Sequence, residues 1–191
     1  MTVYTKTYVA PPINRDELLR YAGVKGNAED VESLLDECLG ETGGLIYKIC
    51  YAEFPIIKGD LLDLGFTKIH SDTAEKGLCG CDSVIIFGAT VGIAIDRLIA
   101  KYLVLSPAKA LLFQAIGAER IESLCDLFCS DMARDRAIRP RFSPGYGDLP
   151  LEVQKDIFAV LGCEKHIGVT LNGSLLMSPS KSVTAMFGVK K

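Results

Sequence analysis

Residues 134 to 147 hold the densest set of side chains able to bind a small molecule. Arg134, Arg136, Arg139 and Arg141 fall within eight residues, and Phe142, Ser143, Pro144, Gly145, Tyr146 and Gly147 follow. Cations at a helix C-terminus complement its negative dipole end, which accounts for Arg134 and Arg136. Pro140 breaks a helix, so Arg139 and Arg141 are less well explained that way. A guanidinium can hold a carboxylate through two parallel hydrogen bonds. Gly145 lets backbone come close to a ligand, and Tyr146 offers a flat face and a hydroxyl. These parts suit a small zwitterion carrying an aromatic base. The competing reading is a structural turn.

A second candidate lies upstream. Leu111, Ala115, Ala118, Glu122, Cys125 and Cys129 are spaced by steps of three and four, so on a helix they share one face. All are apolar or small except Glu122. A carboxylate there either edges into solvent or faces a cationic ligand in a groove.

Other chemistries find little support. The seven cysteines, at 38, 50, 79, 81, 125, 129 and 163, read as reduced thiols, because no secretory leader precedes them. Cys79 and Cys81 form a CxC and leave thiol chemistry as an alternative. The two histidines, His70 and His166, have no partner at metal-ligand spacing, so no metal is expected. A net charge of −3 gives no basic stripe for nucleic acid. GATVG at 88–92 lacks the context of a dinucleotide site, and there is no P-loop. The most apolar stretch, 84–105, is interrupted by Asp96, Arg97 and Lys101, so no membrane span is expected. A cytoplasmic location follows as an expectation.

The elements that must position these residues can be read from the patterning. Helices are predicted at 14–21 and 28–39, the second capped by Asn27. Strands are predicted at 45–51 and 82–88. The stretch 54–80 predicts a short helix near 58–64 and a strand near 66–70. Thr90 opens a helix to about 104. Ser106 followed by Pro107 then starts a long helix to about 134, roughly 28 residues and ~42 Å. Asp148 with Pro150 begins a helix that ends at Gly162. IGVTL (167–171) and KSVTAMFGV (181–189) read as strands, with Val183, Ala185, Phe187 and Val189 on one face. Strands and helices mix without strict βαβ alternation. The 191 residues therefore predict one α+β domain, 1–191, with a largely antiparallel sheet and flanking helices.

RFSPGY at 141–146 resembles the Arg-x-x-x-Gly-Tyr signature of the activation (reactivation) domain of cobalamin-dependent methionine synthase. The stretch 167–188, IGVTLNGSLLMSPSKSVTAMFG, agrees with it: Leu171, Ser174, Met177, Pro179, Ser182 and Val183 keep that family's order. Residues 82–130 look like its compact bacterial version. The resemblance implies a single C-shaped domain with a twisted antiparallel sheet that binds S-adenosylmethionine in a shallow groove. It implies a role in reductive remethylation of cob(II)alamin, with an electron from a flavodoxin-like or other one-electron donor. The chain has no DxHxxG motif, so the cobalamin would be supplied by the cobalamin-binding domain of a partner methionine synthase. No turnover by the chain alone is expected, and no catalytic residue is assigned.

Carried onto this sequence, the resemblance has Arg141 pairing with the ligand carboxylate and Ser143 and Gly145 giving backbone contacts. Tyr146 lines the groove, Phe187 and Gly188 fall where the family has a ligand-contacting aromatic pair, and Glu122 falls near an acidic position on the long helix. The sequence departs from the family at Asn14, which stands for an aspartate, at Gly147, which stands for a proline, at Gly173, which stands for a glutamate, and at Gly188, which stands for an aromatic. The alternative these departures favour is a docking protein that clamps a corrinoid protein without binding S-adenosylmethionine.

Overall fold

The computed structural model describes residues 2–24, 29–57 and 59–190. In chain order its strands are β1 (Tyr4–Thr7), β2 (Lys48–Pro55), β3 (Leu62–Asp63), β4 (Lys68–Ile69), β5 (Ser83–Thr90), β6 (Ala137–Ile138), β7 (Thr170–Leu171), β8 (Met177–Ser178) and β9 (Ser182–Lys190). The helices are α1 (Arg15–Tyr21), α2 (Glu29–Gly40), α3 (Asp72–Gly77), α4 (Ala94–Leu105), α5 (Pro107–Met132), α6 (Val153–Leu161) and α7 (Cys163–Ile167).

Five strands form an antiparallel sheet in the order β1-β2-β5-β9-β6, and β3-β4 and β7-β8 are small separate ladders. Side chains alternate across a strand, so each strand feeds two cores. Ile85, Phe87 and Ala89 of β5, with Ala185, Phe187 and Val189 of β9, face α1, α2, α4 and α5. Val84, Ile86 and Met186 face α3, α6 and α7. A sheet covered on both faces needs apolar residues at consecutive positions, which is why VIIFGA reads as one run. The fold is α+β, as the mixed pattern predicts.

The long helix α5 spans 26 residues, or about 39 Å at 1.5 Å per residue. Ser106 caps it by accepting from Lys109 N, and Pro107 occupies its first turn. It packs Leu112, Phe113, Ile116, Leu124 and Phe128 onto the sheet and α4.

Several expected elements differ. Residues 59–61 form bends and Leu62 enters β3, in place of a helix near 58–64; Lys58 lies outside the described residues, as does Asn27, the expected cap. Thr90 does not open a helix, because it is still laddered to Ser182 and its hydroxyl accepts from Gly92 N and Ser182 Oγ. Helix α4 therefore starts at Ala94. Asp148 does not cap the next helix either. Its carboxylate turns to the start of α3, and α6 begins at Val153. Residues 163–167 form α7, which shortens the expected strand to β7. β1, not expected at all, pairs with β2 through Tyr4–Thr7; its alternation is too short and too polar to register as a strand.

Candidate ligand-binding groove

The segment after α5 returns antiparallel to β9. Ile138 pairs with Val189, and Phe142 pairs with Met186. Four steps along the outer segment thus match three along β9, so one extra residue is accommodated within 139–141. This is a β-bulge, and Pro140, which lacks an N–H, sits in it on the sheet edge. Arg139 N still donates to Gly188 O at 2.9 Å, and Phe142 and Met186 exchange both backbone hydrogen bonds at 2.9 and 2.8 Å. The bulge aims Arg141 at α5 while Phe142 packs with the opposite core.

Arg141 bridges the loop to the long helix. One Nη donates to Glu122 Oε2 at 2.7 Å and the other to Asp126 Oδ1. Burial works against the guanidinium charge, but the contacts with Asp126 and Glu122 more than offset it, so the group is held firmly protonated. Beneath it, burial pushes the Cys125 and Cys129 thiols up, leaving them as protonated packing groups.

After Phe142 the chain makes two successive turns, with Tyr146 N donating to Ser143 O and Leu149 N to Tyr146 O, both at 3.1 Å. Gly145 and Gly147 have φ of +88° and +61°. A proline cannot adopt the Gly147 conformation, and a Cβ there would overlap Thr73 Oγ1. Asp148 then fixes the loop to α3, accepting from Ser71 Oγ at 2.8 Å, Asp72 N at 2.7 Å and Thr73 N at 3.0 Å. Hydrogen bonds from Thr73, and then from Ser71 and Asp72, hold its carboxyl well below the usual carboxylate range.

A folded-state value below the unfolded one stabilises the fold above the unfolded value, about pH 4 for aspartate, and the contribution fades as pH falls further. The wild-type melting temperature should therefore fall on acidification below about pH 4 more steeply than that of Asp148→Asn. Parallel slopes in thermal scans across that range would remove Asp148 as the anchor.

These elements enclose a groove of about 560 Å³ lined by Thr73, Lys76, Gly77, Glu122, Arg139 to Ser143, Tyr146 and Val183. That is within the usual range for sites that take a nucleoside-sized ligand. The structure brings Arg141, Ser143, Tyr146 and Glu122 together here, and Gly145 forms the adjoining turn. Tyr146 is 68% exposed and stands at the rim. Phe187 and Gly188 are elsewhere. Phe187 is fully buried, its ring 6.0 Å from the centroids of Phe87 and Phe128. Gly188 lies flat on Cys81, whose Sγ a Cβ would overlap. Their direction follows from strand alternation: Phe187 must point at α5 beside Ala185.

A smaller recess of about 180 Å³ opens on the other flank of Glu122, lined by Asn14, Glu17, Tyr21, Glu119, Glu122, Ser123 and Asp126. Asn14, the residue in place of the expected aspartate, caps α1 by accepting from Glu17 N at 3.2 Å. Below it lies a pair that sequence reasoning missed. Glu119 and Arg120 are 2% and 3% exposed and bond each other. Arg120 also donates to Pro11 O at 2.6 Å and Pro12 O at 2.9 Å, while Glu119 accepts from Asn14 N at 3.0 Å and Ser123 Oγ at 2.7 Å. They lash the N-terminal arm across α5. The available signal was two adjacent opposite charges inside an otherwise apolar helical run.

Cys79 is exposed and Cys81 is buried and pushed up by its burial, so the CxC does not present two thiols together. Among the described residues no helix is long and apolar enough to cross a membrane.

No family model matches the chain, and no curated protein sequence matches it. Among solved structures it is similar to a crystal structure of the MetH reactivation domain bound to AdoHcy, at 15% identity with a TM-score of 0.74. The match covers 98% of this chain and 78% of that one. The chain therefore has the fold of the MetH reactivation domain, with its curled antiparallel sheet and long helix.

Proposed function

We propose that this chain is an S-adenosylmethionine-binding activation module. It would support reductive remethylation of cob(II)alamin carried by the cobalamin-binding domain of a partner methionine synthase. The observation that carries this reading is the groove itself. The Arg141-x-x-x-Gly145-Tyr146 loop folds against α5 and α3 into one concave site, on a fold whose solved neighbour holds AdoHcy. The Tyr146 face suits an adenine ring, and Glu122 lies where a cationic amino or sulfonium group gains from a carboxylate.

The partner's cobalamin, with an electron from a flavodoxin-like donor, supplies the methyl-accepting chemistry. The residues of this chain bind the methyl donor, orient it and shield it from water. Arg141 sets the loop against α5, Asp148 sets it against α3, and the bulge fixes the rim.

Titration calorimetry tests the reading. Wild type should take up S-adenosylmethionine, and Arg141→Ala should weaken it by about 2 kcal/mol or more, because two charge-assisted contacts that hold the loop are lost. A second reading, a docking protein that clamps a corrinoid protein without this ligand, is favoured by one observation: both Arg141 Nη atoms already face carboxylates. Wild type that takes up no S-adenosylmethionine, alone or with a cob(II)alamin-loaded methionine synthase, would select it.

A further inference from the structure

Helix α4 ends in an apolar tip that the core does not require. Ile95, Leu98, Ile99 and Tyr102 supply its share of that core. The next three residues, Leu103, Val104 and Leu105, turn outward and are 63%, 84% and 67% exposed. Pro107 and Ala108 beside them are exposed as well, and Leu111, one turn further along α5, is 54% exposed. A helix C-terminus ordinarily gains from a cation, yet the last turn of α4 carries none. Together these six residues expose apolar surface on the order of 400 Å², a contiguous patch of the size that marks an association site.

Charge decides which partner fits. From 98 to 118 the only charged residues are Lys101 and Lys109. Each is already matched: Lys101 Nζ lies 3.3 Å from Glu41 Oε2, and Lys109 Nζ lies 2.8 Å from Glu37 Oε2. Both ammoniums also stand over the Tyr102 ring, at 4.5 and 5.3 Å from its centroid. A nucleic acid, an anionic lipid surface or an acidic protein would call for uncompensated positive charge at this border. A two-fold contact sets a patch against its own copy, so any net charge on it would meet the same charge. Here the centre is apolar and the border charges are neutralised pair by pair, which is the distribution a self-complementary contact needs. Two such patches face to face, with their polar rims, reach the low end of the area that specific interfaces bury, so the contact is a weak one.

We propose that the α4–α5 elbow is a homodimer interface, its occupant a second copy of this chain packed about a two-fold axis. Leu111 precedes Glu122 by eleven residues on α5, or about 16 Å along the helix, so pairing through the elbow leaves both grooves open. The interface is independent of what the groove binds.

Sedimentation equilibrium of the full chain, from about 1 to 200 μM, tests it. Wild type should move from 20.7 kDa toward twice that mass as concentration rises. Val104→Glu places a charge in the patch on both copies and should weaken association at least about tenfold; Leu105→Gln should weaken it in the same direction. Both side chains are exposed, so the far-UV circular dichroism of each variant should match wild type. Leu176→Ser, at an equally exposed apolar residue in the turn between β7 and β8, should associate as wild type does. A mass of one chain across the whole range would overturn the proposal, as would folded Val104→Glu and Leu105→Gln proteins that associate like wild type. A monomeric chain that floats with neutral phosphatidylcholine vesicles, and ceases to do so as Val104→Glu, would overturn it in favour of a lipid surface.

Discussion

Replacing Arg120 with methionine is expected to destabilise the fold by about 3–5 kcal/mol, measured by urea denaturation. The guanidinium is 3% exposed, so the substitution strands a carboxylate, Glu119, that is itself 2% exposed. It also removes the donors that satisfy the Pro11 and Pro12 carbonyls. Losing one partner of a buried pair costs far more than losing both, since the surviving charge has no water to turn to. The double variant Glu119→Gln/Arg120→Met should therefore be less damaged than the sum of the two single changes. A denaturation midpoint for Arg120→Met equal to that of wild type would show that the pair does not hold the arm. The arm carries Asn14 to the recess beside Glu122, so the same change should also loosen that side of the site.

Phe187→Ala is expected to cost a similar amount, about 3–5 kcal/mol, through the cavity it leaves among Phe87 and Phe128. The milder Phe187→Leu should cost roughly 1–2 kcal/mol and keep the chain folded. Under the proposed function, its affinity for S-adenosylmethionine should match wild type, since the ring has no exposed surface and does not line the groove. A stable Phe187→Leu protein that had lost the ligand would instead put this residue in contact with it.

Those two results bear on what the sequence can disclose. Helix α5 was legible because its cap, its proline and its apolar period all agree, and the structure starts it at Pro107. The face shared by Ala185 and Phe187 was legible because strand alternation leaves no choice. The loop at 141–146 was legible as a unit of chemistry, since its residue types are unusual together. What escaped depends on partners distant in sequence. Nothing near Asp148 indicates that Ser71, Asp72 and Thr73 will meet it, so local pattern assigned it to the following helix. The bulge escaped for the same reason, being a mismatch between two strands rather than a property of either. Arg139 and Arg141 look equivalent in the sequence; only the counting of residues against β9 and the location of Glu122 and Asp126 separate them.

The order of strands in the sheet has a consequence for when the groove can come into being. β6 and the turn that carries Tyr146 precede β9 in the chain, yet β9 lies between β5 and β6. Until β9 has been made and has docked on β5, the segment 137–142 lacks the strand it pairs with in the fold, and Arg141 has no fixed approach to α5. During synthesis, when earlier segments emerge first, the helix and both arginines are present well before the site is. The groove is a late product of folding, and a nascent chain that had not yet added β9 could form much of the α5 packing before the groove exists.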